Sequence, residues 1–260
     1  MENFNFKKSL GQNFLVDDNI KRKIVDASDI TEDSIIIEVG PGSGAITKLL
    51  VKKNVPVIAF EIDTRLKEEL SKIDSDNLTV IYEDFLKVNL NNVLKNYNYK
   101  KIHLIANLPY YITTPIITKV MEETDIDEMI IMVQKEVGDR FKAKPNTKEY
   151  NSLSVFLQYY FDISSVCLVS KNCFVPKPKV DSIVVRFERR KDRLNVNNEE
   201  VFFKLVRDAF KQKRKNLRNN LKAYDLVKIE DALGKLGKDL TYRAEQLTID
   251  DFVFISNSLK

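Results

Sequence analysis

The chain has few of the residues that build disulfide frameworks or metal sites. Its 260 residues include only two cysteines and one histidine, too few for a disulfide-stabilised fold or an ordinary zinc site. No apolar run approaches the length of a membrane-spanning helix, and the first residues lack the apolar stretch of a secretory signal. We therefore expect no bound metal, no membrane attachment and a cytoplasmic location.

The hydrophobic and charged residues are abundant, and together they indicate a folded protein whose charge is unevenly distributed along the chain. Hydrophobic residues make up 43% of the chain and charged residues 31%, so a substantial core can form. The net charge is only +4, yet the stretch from Arg186 to Lys222 holds thirteen basic and five acidic residues. A localised excess of this kind favours a polyanionic partner. The alternative is a solvated, lysine-rich helical face.

Apolar, β-branched segments alternate with helical patterns through most of the chain. The predicted strands cover residues 35–39, 57–60, 78–82, 102–106, 129–133, 163–169 and 182–187. Such alternation is typical of an α/β fold with a mostly parallel sheet covered on both faces. Residues 189–198 are polar and lack periodicity, and the pattern after them is helical. We predict a main domain at residues 1–190 and a small, basic helical domain at residues 191–260.

Polar or glycine positions end four successive predicted strands, at Glu38 to Gly40, Glu61, Asp84 and Asn107. An open parallel sheet binds ligands at this edge. The glycines at 40, 42 and 44 permit a tight turn, but their spacing matches neither a dinucleotide fingerprint nor a phosphate-binding loop. Glu61 can accept ribose hydroxyls and Asp84 an adenine amine, which favours S-adenosylmethionine. The alternative is a glycine-rich turn beside two incidental surface acids.

The segment Asn107-Leu108-Pro109-Tyr110 follows an apolar strand and suits a flat nitrogen base. The Asn107 side chain and the Leu108 carbonyl can accept hydrogen bonds from an exocyclic amine, and Tyr110 can stack on the ring. Methyl transfer from a sulfonium needs mainly proximity and alignment, so no covalent nucleophile is required. The alternative is an ordinary Asn-Leu-Pro turn with a packed tyrosine.

Taken together, these motifs resemble the ribosomal RNA adenine N6-dimethyltransferases, and most closely their small-subunit branch. The resemblance spans nearly the whole chain, and its motifs are KSLGQNFL at 8–15, EVGPGSG at 38–44, NLPY at 107–110, QKEV at 134–137 and FVPKPKVDS at 174–182. The glycine turn is shared by many methyltransferases, whereas GQNFL of the first motif together with the third motif narrows the choice to rRNA adenine enzymes and their relatives. The last motif is the most specific for the small-subunit branch. The implied fold is a Rossmann-like methyltransferase sheet with a small C-terminal helical domain.

The resemblance also implies roles for individual residues. Cofactor contacts are expected at Asn13, Leu15, Gly40, Glu61, Asp84 and Asn107. Contacts with the target adenine are expected at Asn107, Leu108, Tyr110 and Phe174, with Phe174 closing the base sandwich. The implied reaction dimethylates N6 of two adjacent adenines near the 3′ end of 16S rRNA in the small (30S) subunit. Beside such a base pocket, the basic stretch becomes an RNA contact, which we assign to Lys211, Lys213, Arg214, Lys215 and Arg218.

Two rival interpretations stay open from the sequence. An enzyme of the same chemistry could act on large-subunit rRNA, although Leu108 and the motif at 174–182 argue against it. A non-catalytic ribosome-assembly factor could share the fold, although the intact cofactor and base motifs weigh against that loss of activity. We further expect a monomer, a core position for His103, and helix packing for the stripe formed by Phe202, Phe203 and Phe210.

Overall fold

The computed structural model describes residues 12–108, 112–192 and 194–259, which form two compact units. The strands are β1 (Phe14–Leu15), β2 (Ser34–Val39), β3 (Val57–Phe60), β4 (Leu78–Ile81), β5 (Lys101–Asn107), β6 (Glu128–Gln134), β7 (Phe161–Val169), β8 (Phe174–Val175) and β9 (Ser182–Arg189). The α-helices are α1 (Asp18–Asp26), α2 (Thr47–Leu50), α3 (Lys67–Leu70), α4 (Leu90–Leu94), α5 (Thr113–Glu123), α6 (Lys135–Phe141), α7 (Ser152–Tyr160), α8 (Glu199–Ala209), α9 (Leu217–Asn220), α10 (Leu226–Lys235) and α11 (Ile249–Ser258).

A seven-stranded sheet with the order β4-β3-β2-β5-β6-β9-β7 is the centre of the fold. Strands β2 to β6 pair in parallel, and β9 pairs with β6 in the antiparallel direction. The apolar runs explain this arrangement, because strands covered on both faces bury successive side chains. Residues 35–37 are fully buried isoleucines. The predicted α/β class is confirmed, and the five parallel strands lie within one residue of their predicted ends.

The register of the parallel strands brings their carboxyl ends to one edge of the sheet. Val39 pairs with Phe60 on one side and with Ala106 on the other, and Phe60 pairs with Ile81. The residues that follow these strands therefore share that edge. This pairing places the glycine turn, Glu61 and Asn107 beside one another.

The segment after residue 12 adds a short strand and a helix that periodicity did not predict. Strand β1 pairs with β8 in the antiparallel direction, so that Leu15 lies opposite Phe174. Asp17 caps the N-terminus of helix α1, because its carboxylate accepts the backbone N–H groups of Asn19 and Ile20. The helix buries Ile20, Ile24 and Val25 in the hydrophobic cluster that contains Leu15. A two-residue strand is too short to leave a periodic signal.

The second unit comprises Asp139–Ile163 and Arg190–Lys260, so its boundary differs from the predicted one. The predicted start near residue 191 is close to Arg190, but residues 139–163 do not belong with the first unit as predicted. Their side chains explain the difference, because Val155 and Tyr159 of α7 lie in one hydrophobic cluster with buried residues of α8, α10 and α11. Phe202 is fully buried in that cluster, which confirms its predicted packing role.

Candidate active site

A cavity of about 230 Å³ opens at the carboxyl edge of the parallel strands. Its walls come from residues 12–15, which we call the wall segment, from the glycine turn, and from the residues that follow β3, β4 and β5. Six of the predicted site residues line it: Asn13, Leu15, Gly40, Glu61, Asp84 and Asn107, and Leu108 joins them. Residues spread over nearly a hundred positions thus meet in one cavity.

The glycine turn lies directly beneath the wall segment. Gly42 has a φ of +59°, and a Cβ atom added there would lie 2.7 Å from Cε1 of Phe14. Both the backbone conformation and the space therefore require glycine at this position. The N–H of Gly40 donates to the Phe60 carbonyl at 2.9 Å, which ties the turn to the end of β3.

Glu61 is held at the cavity by two backbone amides. The N–H of Gly42 donates to Oε2 at 3.1 Å, and the N–H of Asp63 donates to Oε1 at 2.8 Å. Burial raises the pKa of the Glu61 carboxyl, while the two amides oppose that rise. Each carboxylate oxygen keeps a second lone pair, so the side chain can still accept the hydroxyls of a ribose.

Glu38 is the second acid of the cavity and is more deeply buried. The residue is 2% exposed, and burial raises the pKa of its carboxyl to about 8. Thr47 opposes that rise and the nearby Glu61 charge adds to it. Within the described part of the chain, Oε2 of Glu38 has no hydrogen-bond partner. An orphaned polar atom beside a cavity fits a ligand with a polar or cationic group, as S-adenosylmethionine has.

The adenine end of the predicted cofactor site combines polar and apolar groups. Asp84 is partly buried, and its carboxylate accepts the N–H of Leu86 at 3.1 Å. Ile62 also lines the cavity, with 53% of its surface exposed. An exposed isoleucine beside an acid that accepts amines can cover the face of a purine. The sequence analysis did not identify Ile62 as a cavity residue. Its position directly after Glu61, just beyond the end of a strand, could have indicated that role.

Asn107 ends β5 with its amide group fixed in one orientation. Its Nδ2 donates to the backbone carbonyl of Asn13 at 3.1 Å, a contact between residues 94 positions apart. The amide nitrogen is thereby engaged, and Oδ1 is the atom left to accept a hydrogen bond from a ligand. The Leu108 N–H donates to the Met132 carbonyl at 3.2 Å, which holds the chain just after the strand.

Two of the predicted base contacts are not seen at the cavity. Tyr110 lies outside the described residues. Phe174 is 3% exposed, and it packs with Leu15 in the hydrophobic cluster of the first unit. The backbone of Phe174 pairs opposite Leu15 in the β1–β8 ribbon. Its role as the second wall of a base sandwich stays a prediction.

The predicted RNA contacts lie in the second unit and are exposed. Lys211, Lys213, Arg214 and Lys215 belong to a non-helical segment between α8 and α9, which we call the basic loop (residues 211–215). The alternative of a lysine-rich helical face is therefore wrong for these residues. The side chain of Asn220 donates to the carbonyls of Ala209 at 2.6 Å and Gln212 at 3.2 Å, which fixes the shape of the loop.

Other predictions concern single groups away from the cavity. Arg218 is exposed and forms an ion pair with Glu230 at 3.2 Å. His103 is 2% exposed and contacts Glu128 through Nδ1 at 2.9 Å, as expected for a core residue. No helix within the described residues is both long and apolar enough to cross a bilayer.

Known proteins resemble the chain in sequence and in structure. Ribosomal RNA small subunit methyltransferase A of Staphylococcus haemolyticus (strain JCSC1435) is 48% identical over 263 residues, which cover 96% of this chain and 88% of that protein. A dimethyladenosine transferase from Plasmodium falciparum superposes with a TM-score of 0.78 at 26% identity, covering 93% of this chain and 95% of the other. The 23S rRNA methyltransferase ErmE superposes with a TM-score of 0.76 at 25% identity, covering 95% and 99%.

The model of the family described as ribosomal RNA adenine dimethylase matches residues 3–260. This match spans almost the whole chain, so it includes the cavity, the base motif and the second unit together. The family transfers methyl groups to rRNA adenines, and S-adenosylmethionine is the methyl donor that the cavity residues fit. The chain therefore belongs to the ribosomal RNA adenine dimethylase family.

Proposed function

We propose that this enzyme dimethylates N6 of two adjacent adenines near the 3′ end of 16S rRNA in the small (30S) ribosomal subunit. The observation that carries its chemistry is the hydrogen bond from Nδ2 of Asn107 to the Asn13 carbonyl, which leaves Oδ1 to accept an amine beside the cavity. The small-subunit assignment is supported by the 48% identical relative, whose name states that subunit.

The proposed chemistry is an alignment of the adenine amine. S-adenosylmethionine, when bound, supplies an electrophilic methyl group. Asn107 Oδ1 and the Leu108 carbonyl accept the two N–H bonds of the amine. Two acceptors in these places draw the nitrogen toward a tetrahedral geometry and free its lone pair from the ring. The proton leaves after the new N–C bond forms, so a committed base is not needed.

The residues along the cavity would hold the cofactor. We assign the ribose hydroxyls to Glu61, the adenine amine to Asp84 and the close backbone approach to Gly40. Asn13 and Leu15 close the cavity from the wall segment. The target adenine must leave its stack to reach Asn107, and unpaired or flipped bases meet that condition. Tyr110 is assigned to stack on this base.

The second unit would bind the rRNA backbone through the basic loop and Arg218. Five exposed cations on one short stretch can neutralise several phosphates, which gives affinity without reading sequence. We assign a monomer. The cytoplasm is the assigned location, since ribosomal subunits are the substrate.

Labelled S-adenosylmethionine with unmodified ribosomal subunits tests this function. We expect label in small subunits and none in large subunits, with mass spectrometry locating two dimethylated adenines near the 3′ end of 16S rRNA. Label confined to the large subunit would contradict the small-subunit assignment. Absence of transfer to either subunit would contradict the enzymatic role.

Asn107→Ala tests the base site. Because the variant removes the oriented acceptor, we expect methylation to fall by about a hundredfold or more, with RNA binding unchanged in a filter-binding assay. Asn96→Ala is the matched control, since Asn96 is exposed and lies outside the cavity. Full turnover by Asn107→Ala would show that the amide does not hold the amine.

A further inference from the structure

We infer that Asp63 is a positioning residue, whose carboxylate anchors Gln12 and so sets the orientation of the Asn107 amide. None of the roles assigned above involves the side chains of Asp63, Gln12 or Arg65. The inference rests on the proposed function, because it concerns how the amide oxygen of Asn107 comes to face the substrate amine.

The first step is a buried carboxylate with a fixed charge. The Asp63 side chain is 2% exposed, and Nη2 of Arg65 lies 2.6 Å from its Oδ2. Nε of Arg65 also donates to Oδ1 at 2.8 Å. The Arg65 guanidinium holds the pKa of the Asp63 carboxyl well below its usual range, so the group is ionised at neutral pH. Two bonds from one guanidinium fix the plane of the carboxylate.

The second step connects this carboxylate to the wall segment. Nε2 of Gln12 donates to Oδ2 of Asp63 at 2.8 Å, between residues 51 positions apart. The backbone N–H of Asp63 donates at the same time to Oε1 of Glu61 at 2.8 Å. Asp63 therefore holds two groups: its backbone holds Glu61, the acid assigned to the ribose, and its side chain holds Gln12, the residue before Asn13.

The third step runs from Gln12 to the amide of Asn107. Gln12 directly precedes Asn13, so its side-chain anchor restrains the start of the wall segment, and pairing of Phe14 with Val175 restrains the segment on the other side of the Asn13 carbonyl. That carbonyl accepts Nδ2 of Asn107 at 3.1 Å. The two flipped orientations of an asparagine amide have nearly the same shape, and only a hydrogen-bond partner distinguishes them. A reversed amide would present its NH₂ group to the substrate amine, where no hydrogen bond could form.

Variants that reverse the polarity of the Gln12–Asp63 pair test the inference. Gln12→Glu places two carboxylates together, and we expect the methylation rate in single turnover to fall by about tenfold or more. Asp63→Asn keeps an acceptor for Gln12 and should lose less than about threefold. In the double variant the amide of position 63 can donate to the carboxylate of position 12. We expect it to recover to within about threefold of the wild-type rate.

Two further measurements separate positioning from a loss of structure. The affinity for S-adenosylhomocysteine, measured by calorimetry, should fall in Gln12→Glu and recover in the double variant. This measurement needs no RNA, so it still tests the anchor if the proposed rRNA substrate is wrong. RNA binding should stay constant in all variants. Asp33→Asn, which changes a partly exposed acid paired with Lys100 at 3.0 Å, is the matched control and should behave as wild type.

The inference is overturned if Gln12→Glu retains its rate and cofactor affinity within twofold of wild type. It is equally overturned if the double variant is no better than Gln12→Glu, because a general disturbance of the wall segment would not be repaired by an amide at position 63.

Discussion

Three acids in or beside the cavity have different pKa shifts because their surroundings differ. Glu38 has an oxygen without a hydrogen-bond partner among the residues that the structure describes, and burial raises its pKa to about 8. The carboxylate of Glu61 accepts two backbone amides, which oppose the rise that its burial causes. Asp63 faces a guanidinium and has a lowered pKa. Burial and the donors around each carboxyl, and not its residue type, decide the direction of its pKa shift.

The raised pKa of Glu38 predicts a pH dependence of stability. Between the ordinary pKa of 4.5 and about 8, the folded protein retains a proton that the unfolded chain has lost. The free energy of unfolding therefore falls as the pH rises through this window, and this contribution levels off above it. Glu38→Gln lacks the contribution. We expect the variant to gain stability relative to wild type by up to about 1.4 kcal/mol per pH unit across the window.

Urea denaturation of both proteins without cofactor, from pH 5 to pH 9, measures this difference. Glu61 is present in both, so its own titration contributes to both curves. Parallel curves for the two proteins would show that the Glu38 carboxyl is not buried as a neutral acid.

At the scale of elements, the wall segment and the glycine turn pack directly against each other. Phe14 belongs to a hydrophobic cluster with Leu66 and Leu70, and its ring covers Gly42. The strand β1 has only two residues, so this packing and the β8 pairing hold it in place. The cavity therefore depends on an element that is hardly stable by itself.

Gly42→Ala tests this packing. The new methyl group would meet the Phe14 ring at 2.7 Å in a backbone conformation that disfavours alanine. We expect a loss of about 1–3 kcal/mol in the free energy of unfolding and a weaker affinity for S-adenosylhomocysteine. Gly234→Ala is the matched control, since it lies within α10 and nothing lies within 4 Å of its new Cβ. The control should gain up to about 1 kcal/mol. Equal effects at both positions would contradict the packing.

At the scale of the whole molecule, a small net charge conceals a strongly basic region. The chain as a whole carries +4, and the basic loop concentrates four cations in five residues. Counterion release makes such a loop a source of salt-dependent affinity for nucleic acid. Its main-chain shape is held by Asn220, and Lys213 donates to the Lys148 carbonyl at 2.7 Å.

Replacing the four cations of the basic loop by glutamine should weaken RNA binding and reduce its dependence on salt. Each lost phosphate contact lowers the slope of log affinity against log salt by about 0.7–0.9. The affinity for S-adenosylhomocysteine should not change. The matched control removes four lysines of the first unit that lie outside the cavity: Lys72, Lys95, Lys100 and Lys101. An unchanged slope in the loop variant, or the same loss in the control, would contradict a dedicated RNA contact.

The sequence alone determined the sheet, the order of its parallel strands along the chain and the edge that binds the ligand. This was possible because apolar runs, glycines and polar strand ends are local signals, and parallel strands bring their carboxyl ends together. It also predicted three residues that line the cavity: Asn107, which ends β5, Glu61, which directly follows β3, and Asp84, which lies three residues after β4. The residues at a ligand-binding edge of a parallel sheet can therefore be predicted from their positions at or after the ends of strands.

Only the tertiary structure decided what depends on distant partners. The orientation of the Asn107 amide requires Asn13, and the anchoring of Gln12 requires Asp63, at separations of 94 and 51 positions. The buried face of Phe174 depends on its pairing with β1, and the assignment of residues 139–163 to the second unit depends on the core that α7 joins. Such contacts leave no periodic signal in the sequence. Each contact joins two distant segments, and the hydrophobic pattern within either segment is the same whether or not the contact forms.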